Sequence, residues 1–260
     1  WVGNIHKLAA AKFWDGTSIN RVQDNYVVQW GDANAEDKAK ARKLPEGLAA
    51  VPESEYTVPV TDVEWAALAK ADAQIAMRAA EDAMAMTTDK PKNSASLAPF
   101  VVSDPYAQTN AFAGGWPWTY ETNGRASTHC YGMVGVGRDM PPNTGTGAEL
   151  YTVIGHAPRH LDRNIALVGR VIEGIEHLSS LPRGTGALGF YETPEERTPI
   201  VSVRMGSEVS GLPAYEYLST ESESFARYAD ARANRRDAFF IRPAGGADIC
   251  NIPVPVRRVK

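Results

Sequence analysis

The chain is poor in cysteine, with two in 260 residues, Cys130 and Cys250. That excludes a disulfide-dense scaffold and any four-cysteine zinc site. It leaves two alternatives: one long-range bridge, closing a loop worth about 4–5 kcal/mol in the chain-entropy model, or two buried thiols. There is no surplus of basic charge either, since 27 Lys and Arg face 31 Asp and Glu for a net charge of −4. A nucleic-acid partner is therefore not expected. No apolar run approaches the roughly 20 residues that cross a bilayer, so no membrane span is expected. The opening residues, Trp1 to His6, lack a basic segment leading into an apolar one, and no signal peptide is expected in this chain. Glycine (22) and proline (17) fall short of a low-complexity composition, and 43% hydrophobic residues suffice for a core.

What is present divides by character. Ile5, Leu8, Ala9 and Phe13 have helical spacing, and Asp15-Gly16 closes that segment as a turn. Ser18 to Trp30 mixes β-branched and aromatic residues around Asp24-Asn25, which predicts two short strands with Arg21 and Gln29 flanking one sheet surface. From residue 33 the chain becomes charged, Ala-rich and proline-punctuated. Thr61 and Glu64 then form a capping box for a helix to about Met86, carrying Trp65, Leu68, Ile75, Ala79 and Met84 as packing surface. Lys90 to Ala98 reads as a loop and Ala113 to Trp118 as an aromatic-rich turn. Strands are expected at 131–138, 150–155, 165–171 and 200–205, with a short helix at 173–178. A late helix is expected over 220–237, capped by Thr220 and Glu223.

Several blocks resemble the cyclophilin-type peptidyl-prolyl isomerases. Phe13-Trp14-Asp15-Gly16-Thr17, Asn20-Arg21-Val22 and Tyr26-Val27-Val28-Gln29-Trp30-Gly31-Asp32 are similar to that family's F-Y-D-G-T, F-H-R-V and F-M-I-Q-G-G-D. Gly132 to Arg138 resembles its G-x-x-S-M-A-R strand, and Gly147 to Tyr151 its G-S-Q-F-F. Leu161-Asp162 and Val168 to Gly174 resemble its L-D-x-x-x-x-x-F-G-x-V-x-x-G. The likeness covers residues 1–32 and about 113–207. It implies a mainly β fold, an eight-stranded antiparallel barrel with capping helices whose first strands are missing here. A helical insertion at 33–112 would interrupt the barrel, and a C-terminal extension at 208–260 would pack on it.

The resemblance implies isomerisation of X-Pro bonds, with Arg21 as the catalytic residue and Gln29 orienting the substrate backbone. Tyr26, Val27, Tyr151 and Leu161 are expected around the proline pocket, with Gly137, Arg138, Glu149 and His160 as further substrate-binding positions. Several of these depart from the family. Tyr26 and Tyr151 replace phenylalanines, and a buried tyrosine hydroxyl needs a partner. Glu149 replaces a glutamine and is placed to pair with Arg21. His160 replaces a rim tryptophan, which predicts weak cyclosporin binding, and Ile165 replaces a histidine.

Other motifs favour plainer readings. His156 and His160 have the spacing of a helical zinc pair, but Pro158 lies between them and no glutamate completes the motif, so no metal or other cofactor is expected. Gly135 to Arg138 and Asn143 to Gly147 lack a full phosphate-loop fingerprint. Residues 139–143 either shape peptide entry or form an inert loop. Arg227, Arg232, Arg235 and Arg236 fit a solvated helix face. The expected partners are proline-containing unfolded or extended polypeptides, and a bridge between Cys130 and Cys250 would suit a periplasmic or otherwise exported protein. The rival is a peptide-binding or assembly protein on the same scaffold without useful turnover; a hydrolase using His156 or His160 is more remote.

Overall fold

The computed structural model describes residues 1–85, 101–102, 104–235, 237–242 and 245–259. Its strands are β1 (Ser18–Val22), β2 (Val27–Gly31), β3 (Val101–Val102), β4 (Thr109–Ala113), β5 (Trp116–Glu121), β6 (Gly124–Ser127), β7 (Met133–Val136), β8 (Leu150–Val153), β9 (Leu167–Arg170), β10 (Thr198–Pro199), β11 (Tyr215–Tyr217) and β12 (Val256–Arg258). Its helices are α1 (Val2–Ala10), α2 (Asp62–Ala85), α3 (Ile175–Ser179) and α4 (Glu223–Ala233). They belong to two compact units, residues 1–56 with 129–213, and residues 57–128 with 214–260.

The first unit is an antiparallel sheet in the order β10-β1-β2-β8-β7-β9. Among the described residues the ladder thus runs through six strands rather than eight, ending at β10 and β9. Side chains alternate across it, as the two-residue period of a strand requires. Trp30, Val134, Val136 and Leu150 pack on one face against Leu8, Ala9, Phe13 and Trp14. Val27, Tyr151 and Val153 lie on the other with Tyr26 and Ile165. The buried Trp14 ring donates its indole N–H to the Ala148 carbonyl at 2.8 Å, which anchors the segment entering β8.

In the second unit β3, β4, β5 and β6 form an antiparallel sheet, and β11 pairs with β12. Thr61 and Glu64 cap α2 reciprocally: the Thr61 amide donates to the Glu64 carboxylate at 2.9 Å, and the Glu64 amide to Thr61 Oγ1 at 3.2 Å. Trp65 and Leu68 pack with Val101, Ala111 and Tyr120. The side chains of Ile75, Ala79 and Met84, and the loop expected at 90–98, lie outside the described residues. Phe112 stacks edge-on to Phe225 of α4, their centroids 4.9 Å apart, within a core completed by Val102, Ile249 and Ile252.

Several expectations change. The first helix ends at Ala10, because Lys12 adopts a left-handed conformation before Phe13. Residues 200–205 are not a strand; the pairing is Thr198–Pro199 on β1, and Val201 is exposed. The cap of α4 is Ser222, whose hydroxyl accepts from the Phe225 amide at 3.1 Å, rather than Thr220, whose hydroxyl accepts from the Gly115 amide. Residues 109–127 are an antiparallel β meander, not only an aromatic turn. Ala113 pairs with Trp116 across Gly114 and Gly115, which both have positive φ, the conformation of a type I′ hairpin. The unit boundaries also differ from those read in the sequence: 33–56 lies with the six-stranded sheet, and 214–260 shares a unit with 57–128.

Candidate functional site

The register of the six-stranded sheet assembles a row of residues contributed by four strands. Arg21 on β1 faces Gln29 on β2, Gln29 faces Tyr151 on β8, and Tyr151 faces Gly135 on β7. Directly opposed residues share a face, so the row runs across the side that also carries Val27 and Val153.

Three oxygens hold the Arg21 guanidinium. Nη1 donates to Gln29 Oε1 at 3.0 Å, Nε to the Leu188 carbonyl at 2.8 Å, and Nη2 to Gln23 Oε1. It lies over the rings of Tyr26 and Phe190, at 5.6 and 5.2 Å from their centroids. The 184–190 loop reaches it because Gly189 lacks a side chain: a Cβ there would come within 2.6 Å of the Gln23 backbone. Leu188 itself has φ +57°, a conformation that costs a non-glycine residue of order 1 kcal/mol. Partial burial lowers the pKa of Arg21, opposed by Tyr26 and Glu149; a guanidinium stays charged under such shifts.

Glu149 does not pair directly with Arg21. Its carboxylate accepts from Gln29 Nε2, so a line of hydrogen bonds runs from Arg21 through Gln29 to Glu149. The Glu149 side chain lies over Gly137, where an added Cβ would be 3.0 Å from its Cγ. Burial raises the Glu149 pKa, with Glu36 and Asp139 adding to the rise and the Gln29 hydrogen bond and Arg21 opposing it.

Tyr151 is 5% exposed and its ring passes over Gly135, where an added Cβ would sit 2.2 Å from Cζ. Its hydroxyl has the partner a buried phenol requires, His129 Nε2 at 2.8 Å. His129 Nδ1 and its backbone N–H both meet Asp162 Oδ1 at 2.8 Å, and Arg159 Nε donates to Asp162 Oδ2 at 2.6 Å. His129 and Asp162 are fully buried and Arg159 is 1% exposed. Desolvation pushes the Tyr151 pKa well above its ordinary value.

The remaining positions are less uniform. Val27 is buried against Tyr151 and Val153, with Tyr26 and Ile165 beside them. His160 is exposed and stacks on Tyr26, with the planes 9° apart and the centroids 6.4 Å apart. Leu161 is half-buried on the 3-10 turn Arg159–Leu161. Arg138 is directed at backbone, donating to the Asn164 carbonyl at 3.0 Å and the Asp139 carbonyl at 2.6 Å. Neither Cys130 nor Cys250 is a free thiol; both are disulfide-bonded.

Sequence reasoning missed Gln23, Phe190, His129, Arg159 and the role of Asp162. Gln23 shares a face with Arg21 by strand alternation and was legible in principle. Phe190, His129 and Asp162 are brought in by contacts across 22 or more residues of chain, which no local spacing announces, and Arg159 joins them through Asp162 three residues on.

The model of the family described as cyclophilin type peptidyl-prolyl cis-trans isomerase/CLD matches residues 1–205. The fold is similar to the crystal structure of the cyclophilin AquaCyp293 from Hirschia baltica, with a TM-score of 0.56 and 18% identity, over 98% of this chain and 81% of that one. No curated protein matches. The family match takes in all four strands of the Arg21 row and the Arg159–Asp162 turn beneath it, and both comparisons agree with a fold of mostly antiparallel sheets and a few helices. The chain belongs to the cyclophilin-type peptidyl-prolyl cis-trans isomerase family.

Proposed function

We propose that the chain catalyses cis-trans isomerisation of X-Pro bonds in unfolded or extended polypeptides and thereby assists their folding. Amide resonance sets a rotation barrier of roughly 18–20 kcal/mol, so a catalyst must favour a twisted bond whose nitrogen has become pyramidal. A donor aimed at the freed lone pair binds the twisted state more tightly than the planar one, which is the condition for acceleration. Arg21 supplies that donor. The observation that carries the reading is its placement: three oxygens and two aromatic rings restrain the guanidinium, and one of those rings, Tyr26, packs with the apolar group Val27, Tyr151 and Ile165. The apolar group takes the prolyl ring, Tyr26 and His160 form its rim, and Gln29, Glu149, Gly137, Arg138 and Leu161 border the peptide path. No cofactor enters this chemistry, and His160 in place of the rim tryptophan makes cyclosporin binding weak.

The catalytic body in this reading comprises residues 1–56 and 129–213, a cyclophilin barrel whose remaining strands are not part of the described ladder. Residues 57–128 and 214–260 form an accessory body. Disulfide-bonded cysteines support an exported, periplasmic setting. Protein purified without reductant then titrates no thiol under denaturing conditions, and two free thiols would count against export.

The test is the isomerisation rate of a proline tetrapeptide. The parent accelerates it, and Arg21→Ala lowers kcat/KM by about 10²–10³-fold, the range seen when one preorganised donor is removed. A parent without acceleration, or a variant equal to the parent, overturns the enzyme reading. A second reading, a peptide-binding protein without useful turnover, is favoured by one observation: both ends of the Gln29 amide are already engaged, by Arg21 and by Glu149, which leaves only its second N–H and second lone pair for substrate. Peptide binding without acceleration is its signature.

A further inference from the structure

The hydrogen-bonded line beneath the apolar group runs from Arg159 to Tyr151. The Asp162 carboxyl meets His129 Nδ1 at 2.8 Å and His129 Nε2 meets the Tyr151 hydroxyl at 2.8 Å, so both ring nitrogens are engaged and the phenol has its partner in the imidazole. Asp162 accepts in addition from the His129 amide and from Arg159, which leaves it balanced by a buried guanidinium. Every member is 5% exposed or less. The His129 and Tyr151 rings lie nearly parallel, with 12° between planes, and the tyrosine ring passes so close to Gly135 that a Cβ there would overlap it.

We propose that Arg159, Asp162 and His129 are positioning residues for the proline pocket: they draw the Tyr151 hydroxyl away from the prolyl site and set the angle at which its ring meets the substrate. None of the three touches substrate; they act through Tyr151. A tyrosine at this position without an acceptor must turn its hydroxyl toward the pocket to reach water, because a buried unpaired phenol is unfavourable. His129 therefore converts a polar side chain into an apolar wall, and substrate affinity depends on a residue that lies behind that wall.

The inference rests on the proposed function for the identity of the ligand, a proline-containing peptide, but not on turnover. The experiment accordingly reads both the dissociation constant of a proline tetrapeptide, by calorimetric titration of the full disulfide-bonded chain, and its isomerisation rate. His129→Phe is expected to weaken binding about tenfold, the size of one net hydrogen bond, with kcat changed less than twofold. The double variant His129→Phe with Tyr151→Phe removes the stranded hydroxyl and is expected to return affinity to within twofold of the parent. His129→Gln, which keeps a donor for Asp162 and an acceptor for Tyr151, is expected to bind as the parent does and guards against a fold defect in His129→Phe. Unchanged affinity in a folded His129→Phe variant, or a double variant as weak as the single, overturns the proposal. Loss of turnover alone with this affinity pattern intact overturns the enzyme reading and not this one. A parent that binds no proline peptide overturns both.

Discussion

The two ends of the Arg21 row handle charge and polarity in opposite ways. At the β1 end, a guanidinium is held by a carbonyl and two amide side chains and linked through Gln29 to a carboxylate, with water within reach. At the β8 end, a carboxylate, a guanidinium, an imidazole and a phenol are closed off from solvent and satisfy one another. The contrast teaches where each kind of failure appears. A donor within reach of water can be removed with less effect on folding, since water solvates what it leaves, so its loss is felt in the chemistry. A member of a sealed network cannot be removed without stranding its neighbours in low dielectric, so its loss is felt first in stability.

The comparison is broken most severely at Asp162. Asp162→Ala removes the buried carboxylate that accepts from Arg159 Nε and from the His129 amide, and is expected to lower unfolding free energy by about 3–5 kcal/mol in chemical denaturation. A loss below about 1 kcal/mol would show that the network is solvated after all. Arg21→Ala is the counterpart: alongside its loss of activity it is expected to cost about 1 kcal/mol of stability, since the acceptors it leaves are only partly buried and water can replace it. Equal stability losses in the two variants would erase the distinction between the ends. Gly135→Ala tests the middle of the row. An added Cβ would overlap Tyr151, and overpacking of this kind costs about 1–3 kcal/mol; calorimetry should show the drop together with weaker peptide binding.

The smallest expected effect sharpens the open end. Burial raises the Glu149 pKa above the ordinary 4.5, so the folded chain holds this proton more tightly than the unfolded one. The stability it contributes is complete below about pH 4.5 and is lost as pH rises through the raised value. Glu149→Gln lacks that loss. The difference in unfolding free energy between variant and parent should be flat in acid and move in favour of the variant as pH rises above 4.5. Denaturation curves at several pH values check this, and a difference independent of pH would mean that Glu149 is as exposed as a free carboxylate.

Local causes made much of the fold readable. The Thr61 and Glu64 pair announces a helix start because both halves of the reciprocal cap lie within four residues. Asp24-Asn25 announces the β1–β2 turn, and Asn25 takes the left-handed conformation that such a residue tolerates. The meander over 109–127 carries comparable signals in Gly114-Gly115 and its flanking β-branched and aromatic residues, and the aromatic-rich turn expected at 113–118 is the tip of its first hairpin. The strand expected at 200–205 is the contrary case. Its apolar alternation is real, yet Ile200, Val203 and Met205 pack against the helix-side core without forming a ladder.

Arg21, Gln29, Tyr26 and Tyr151 were identifiable because their blocks resemble a known family, and their convergence follows from an antiparallel register that two short strands and a turn nearly dictate. Glu149 was expected to pair with Arg21; instead Gln29 stands between them, a choice made by side-chain reach in three dimensions. The sequence by itself determined the elements whose causes are local, the two-faced pattern of the sheet, and the presence of a tyrosine hydroxyl in need of a partner. Only the tertiary structure decided that the partner is His129, that Asp162 and Arg159 stand behind it, and that residues 214–260 share a unit with 57–128. The reason is physical: hydrogen bonds and packing select by distance in space, and folding makes neighbours of residues whose separation along the chain carries no trace of it.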